Sequence, residues 1–99
     1  MHHIEIRIQS TKPVIVVFYA AWSAACKLLN PVLQEVENKT GNRVEILKVD
    51  FDENDSFARQ YDVKTVPTII LFKEGEMLWK KSGNIPAHEI LEHLEFHLA

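Results

Sequence analysis

Six consecutive residues, Val14-Ile15-Val16-Val17-Phe18-Tyr19, are apolar or aromatic with no alternation. A strand wetted on one face alternates polar and apolar side chains; a strand covered on both faces does not. The run is β-branched and too short for a buried helix, so it predicts a central strand. A sheet covered on both sides restricts the chain to layered α/β architectures. Immediately after it the period changes. Leu29, Leu33 and Val36 fall on one helical stripe, which predicts a helix from Ala24 to Lys39. Ser23 is the expected N-cap and Thr40-Gly41-Asn42 the stop. Pro31 lies inside that helix, where it removes a backbone donor and crowds the preceding turn.

The remaining elements follow from shorter patterns. Ile4, Ile6 and Ile8 alternate with Glu5, Arg7 and Gln9, which predicts a first, half-buried strand. Val44 to Val49 reads as a third strand, and Asn54 or Asp55 caps a short helix carrying Phe57, Ala58 and Tyr61. Thr68-Ile69-Ile70-Leu71-Phe72, a Glu74-Gly75 turn and Met77-Leu78-Trp79 predict an antiparallel hairpin. Ile85-Pro86 opens a last helix with Ile90, Leu91, Leu94 and Leu98 inward. The expected architecture is a mixed central β-sheet flanked by helices on both faces.

Composition excludes several function classes. Ninety-nine residues allow one domain, taken as 1–99. With 46% hydrophobic and 25% charged residues, three Gly and four Pro, the chain is neither disordered nor collagenous. A single cysteine rules out an internal disulfide framework. The net charge of -3 offers no basic footprint for nucleic acid or an anionic membrane. No segment is long and apolar enough to span a bilayer, and Met1-His2-His3-Ile4-Glu5 lacks the pattern of a signal peptide. A cytoplasmic monomer is expected, although a mature exported form trimmed of its leader would show the same amino terminus.

The stretch with chemical content is Trp22-Ser23-Ala24-Ala25-Cys26-Lys27. It puts a lone thiol in the first turn of a helix, where free N–H groups and the dipole stabilise a thiolate. The most favoured place is the helix start, occupied by Ser23, whereas Cys26 shares the stripe of Leu29 and Leu33. An inert core thiol therefore stands beside a reactive one as a reading of Cys26. Asp50-x-Asp52-x-Asn54 begins like a calcium loop but has Asp55 where Gly is needed and Tyr61 where Glu is needed. His93 and His97 are four apart on the last helix, a spacing that also describes a solvated face, and no metal is expected. Lys48 reads as a strand-end charge or as a bias on a nearby thiol.

In order and spacing these residues resemble the thioredoxin family over nearly the whole chain. The family motif Trp-Cys-x-x-Cys-Lys is matched by Trp22 to Lys27, and the kinking proline by Pro31. Lys48-Val49-Asp50, Val66-Pro67-Thr68, Phe72-Lys73-Glu74-Gly75-Glu76 and Gly83 match the third strand, cis-proline loop, hairpin turn and following glycine. The resemblance implies a thioredoxin-like α/β fold and a redox site with no cofactor. It puts Ser23 at the position of the attacking cysteine and Cys26 at that of the resolving cysteine. Val17 stands where the family usually has a buried aspartate, and Ala24-Ala25 replaces the usual Gly-Pro. Serine cannot substitute, because an alcohol ionises far above neutral pH and its attack on a disulfide gives a poor sulfenate ester. The resemblance further implies a shallow groove of Trp22, Val66, Pro67 and Gly83 for an extended segment of a protein, with thioredoxin reductase or glutathione as redox partner. Three functions are then open: a single-thiol redox protein, a non-catalytic binding module using that groove, and a scaffold.

Overall fold

The computed structural model describes residues 3–98, and side chains from 4 to 97. The elements in chain order are α1 (His3–Arg7), β1 (Val14–Tyr19), α2 (Ala24–Thr40), a 3₁₀ turn (Gly41–Arg43), β2 (Glu45–Asp50), α3 (Asp55–Gln60), β3 (Thr68–Lys73), β4 (Glu76–Ser82) and α4 (Ala87–Leu98). The four strands form one mixed sheet in the order β2-β1-β3-β4. β1 runs parallel to β2, and the β1–β3 and β3–β4 pairs are antiparallel. The run from Val14 to Phe18 is fully buried at the centre of the sheet.

Alternate residues of that run serve two separate cores. Ile15 and Val17, with Ile69 and Leu71, pack under Leu29, Leu33 and Val36 of α2 and Ile90 and Leu94 of α4. Val14, Val16 and Phe18, with Ile70 and Phe72, meet Ile8, Phe57, Ala58 and Val63 on the opposite face. Leu91 is partly buried against the first core, as its helical spacing requires. The side chain of Leu98 lies outside the described residues.

The hairpin turn is of the primed kind, with positive φ at Glu74 (54°) and Gly75 (81°). Its amides donate to Ser10 O and Ile8 O at 2.9 Å each, tying the turn to the segment before β1. The pairing of β3 and β4 slips between Leu71 and Phe72, which face Trp79 and Met77. Basic side chains close the helices from outside. Arg43 donates to Thr40 O and Lys39 O, Lys80 to Tyr61 O and Asp62 O, and Lys73 to His97 O. Lys39, Thr40 and His97 lie in the last turns of their helices and Tyr61 caps α3, and a cation complements the negative helix end.

The first segment differs from its sequence pattern. Residues 3–7 are helical rather than extended, and among the described residues four strands form instead of five. Ile8 N–H donates to Ile4 O at 3.0 Å, and both side chains pack on the second core while Ile6 is exposed. Two of three alternating isoleucines are also four residues apart, so the pattern fits one helical face. The third is the residue that an extended reading needed inside.

Candidate functional site

The site sits where β1 ends and α2 begins, at the end of the sheet where Phe18 pairs with Thr68 and the loop before β3 arrives. Ser23 has extended backbone angles (φ -93°, ψ 117°), and its Oγ accepts the Cys26 N–H at 3.3 Å. This is the N-cap geometry expected of serine. Ser23 and Cys26 are both buried, each with 7% of its surface exposed. The Ser23 hydroxyl is thus already engaged in holding the helix. Replacing it, Ser23→Ala, should lower stability by about 0.5–2 kcal/mol, read as a fall in Tm of roughly 4–8 °C per kcal/mol. An unchanged melting curve would show that the cap carries nothing.

Trp22 is 72% exposed, and its indole N–H donates to Asp52 Oδ2 at 3.0 Å. Asp52 is held in turn, because Asp50 Oδ1 accepts the N–H groups of Asp52 and Glu53 at 2.9 and 3.0 Å. Asn54 Nδ2 donates to Asp50 O, so the residues with a calcium-like spacing form an Asx turn that anchors the tryptophan. Asn54 is the cap residue of α3 but makes no side-chain cap bond. The signal for this arrangement was present in Asp50, since aspartate commonly accepts backbone N–H groups two and three residues ahead.

On the other side lies the Val66–Pro67 loop, whose peptide bond is cis. Pro67 is buried and Val66 half-buried. Gly83, at φ 93°, donates its N–H to Pro67 O at 2.9 Å, which brings the end of β4 against the loop. A Cβ at Gly83 would meet nothing within 4 Å, so the glycine serves the backbone conformation rather than close packing. Thr68 Oγ1 donates to Thr65 O at 2.7 Å, leaving the Ser82 hydroxyl as the donor in their 2.8 Å contact. The loop is therefore fastened to both β3 and β4.

Val17 lies in the core under α2, directly paired with Lys48 of β2. Register partners in a parallel pair share a face. Lys48 Nζ accordingly reaches α2, where it donates to Asn30 Oδ1 at 3.4 Å. Position 17 thus presents an apolar side chain, not a carboxylate, to the core under α2. His93 stacks on Trp79 with ring centroids 4.3 Å apart, and His97 meets Phe96 edge-on. Among the described residues no group of three or more His, Cys, Asp or Glu is placed to hold a metal ion, and no helix is long and apolar enough to cross a membrane.

Comparison with known proteins converges on one family. Residues 2–95 match the family model described as Thioredoxin. The chain is 36% identical to chloroplastic thioredoxin Y of Oryza sativa subsp. japonica over 92% of its own length and 54% of the relative. It is 42% identical to a thioredoxin of Staphylococcus epidermidis, covering 85% of the chain and 81% of the relative. It therefore spans about half the length of the plant relatives and most of the bacterial one. A solved thioredoxin-2, a component of malaria parasite protein secretion machinery, superposes with a TM-score of 0.82 at 32% identity, over 87% of this chain and 84% of that one. Sheet order, helix-capped motif and matched sequence agree, and the chain belongs to the thioredoxin family, whose general chemistry is thiol–disulfide redox exchange.

Proposed function

We propose that this chain is a thiol-redox protein working through one thiol. Trp22, Val66, Pro67 and Gly83 bound a groove that holds an extended segment of a partner protein, and Cys26 forms a mixed disulfide with that partner or with glutathione. The observation that carries this reading is the Ser23 hydroxyl at the α2 N-cap, accepting the Cys26 N–H in the place of an attacking thiol. Exchange between a dithiol and a disulfide needs two thiols, and the chain has one. A Cys26 thiolate attacking R–S–S–R′ forms Cys26–S–S–R and expels R′–S⁻. An outside thiol, such as glutathione, must then attack the mixed disulfide to free Cys26. A reducing compartment such as the cytoplasm supplies that thiol, and no cofactor is required.

The burial of Cys26 and the apolar Val17 beneath α2 favour a second reading, a non-catalytic binding module using the same groove. One pair of assays separates them. With thioredoxin reductase as electron source, the chain should show no multiple-turnover disulfide reduction above a Cys26→Ala control. With oxidised glutathione, mass spectrometry should show one slowly formed adduct per folded chain. Steady turnover in the first assay overturns the single-thiol reading. Absence of any adduct in the second leaves the binding module.

A further inference from the structure

A hollow of about 240 Å³ opens between α2 and the loop joining β4 to α4, lined by Leu28, Leu29, Val32, Asn84, Ile85 and Pro86. We propose that it is an apolar subsite that takes one large aliphatic or aromatic side chain of the segment docked in the groove. The inference rests on the groove reading above and adds a specificity to it.

Helical geometry explains why the hollow exists. Leu29 belongs to the stripe that α2 buries against the sheet, and it is fully covered. Leu28 and Val32, four residues apart, form a second apolar line along the flank of the same helix. Leu28 is 65% exposed, whereas Val32 is half-buried at the edge of the core. Facing them, buried Ile85 forms the floor and exposed Pro86 the far rim. No side chain of the described residues fills the space between.

Position and size indicate the occupant. The Gly83 N–H is bonded to Pro67 O, and Asn84 is the next residue, so one wall continues directly from the groove. The other wall begins with Leu28, two residues beyond Cys26. A segment lying along Val66, Pro67 and Gly83 therefore leads onto the hollow, and an extended chain points every second side chain to the same side. The volume is below the roughly 300 Å³ at which small-molecule pockets begin, and it suits one side chain. The lining has no charged group, so a charged side chain would enter unpaired.

The test uses the full-length, ¹⁵N-labelled protein and three blocked threonine-rich nonapeptides with Leu, Ala or Asp at the central position. The Leu peptide should shift the amide signals of Leu28, Val32, Asn84 and Ile85 together with those of Val66 and Gly83. It should bind about ten-fold more tightly than the Ala peptide, the factor expected from burying most of a leucine side chain, and the Asp peptide should not exceed Ala. Leu28→Ser removes an exposed wall residue and should bring the Leu-to-Ala ratio close to one. Equal binding of Leu and Ala peptides, with shifts at Val66 and Gly83 alone, overturns the subsite and leaves the groove. Shifts confined to the hollow overturn its connection to the groove. Shifts at neither place overturn the groove reading and the subsite with it.

Discussion

Phe57→Ala should destabilise the fold by about 3–5 kcal/mol, among the largest losses open to a single truncation here. α3 has six residues, far fewer than a helix needs to persist by itself in water. Its stability comes from tertiary packing, and Phe57 is the centre of that packing. The ring stacks on Phe18 at 5.7 Å, meets Tyr61 edge-on at 5.2 Å and tilts against Phe72 at 6.5 Å. Tyr61 and Phe72 close the cluster at 5.0 Å. Removing the ring leaves a cavity between helix and sheet and deletes several aromatic contacts of about 0.5–1.5 kcal/mol each. At roughly 4–8 °C per kcal/mol, Tm should fall by more than about 12 °C, measured by circular dichroism. The loop carrying Val66 and Pro67 follows α3 closely, so its amides should lose hydrogen-exchange protection before those of β1. A loss below about 1 kcal/mol would show that the second core does not depend on this cluster.

The elements that the sequence revealed best are those whose signal is local and redundant. β1 has no polar face to confuse its period, and α2 carries its own cap, stripe and stop within the residues it uses. The hairpin announces itself through Glu74-Gly75, because a primed turn demands positive φ at both positions. The first segment failed for the opposite reason. Three isoleucines in alternation fit a strand or, through Ile4 and Ile8, a helical face, and the decision came from the core below them. At the site, Ser23 as N-cap was readable because capping is local. The Trp22–Asp52 bond and the Val17–Lys48 pairing were not, since each depends on the register of β1 and β2. The hollow beside Leu28 is not legible in the sequence, because a single exposed leucine on a helix has no periodicity to read. It becomes visible only when the β4–α4 loop stands opposite.

Ser23→Cys should raise reductase activity well above that of the parent. The helix N–H that Ser23 Oγ now accepts would be available to a thiolate, and an N-terminal helix charge stabilises such an anion by roughly 0.3–2 kcal/mol. Attack on a substrate disulfide should therefore become measurable with thioredoxin reductase as electron source, against a parent at the level of Cys26→Ala. Resolution should lag. Cys26 must give up a proton in a buried setting, and Val17 accepts none. The partner-bound mixed disulfide should accordingly accumulate in Ser23→Cys, seen by acid quenching and non-reducing electrophoresis. Adding Val17→Asp introduces a proton acceptor under α2, at a cost of roughly 1–3 kcal/mol or more for a buried polar group. Lys48 is the register partner of position 17 and already points toward α2, so its ammonium can turn from Asn30 to offset part of that cost. The double variant should then turn over faster, hold less mixed disulfide and melt lower than the single one. Equal accumulation in both would show that proton removal is not what limits resolution. If Ser23→Cys oxidises to an internal disulfide yet never captures a protein substrate, the groove of Trp22, Val66, Pro67 and Gly83 does not dock one, and the fold serves as a scaffold.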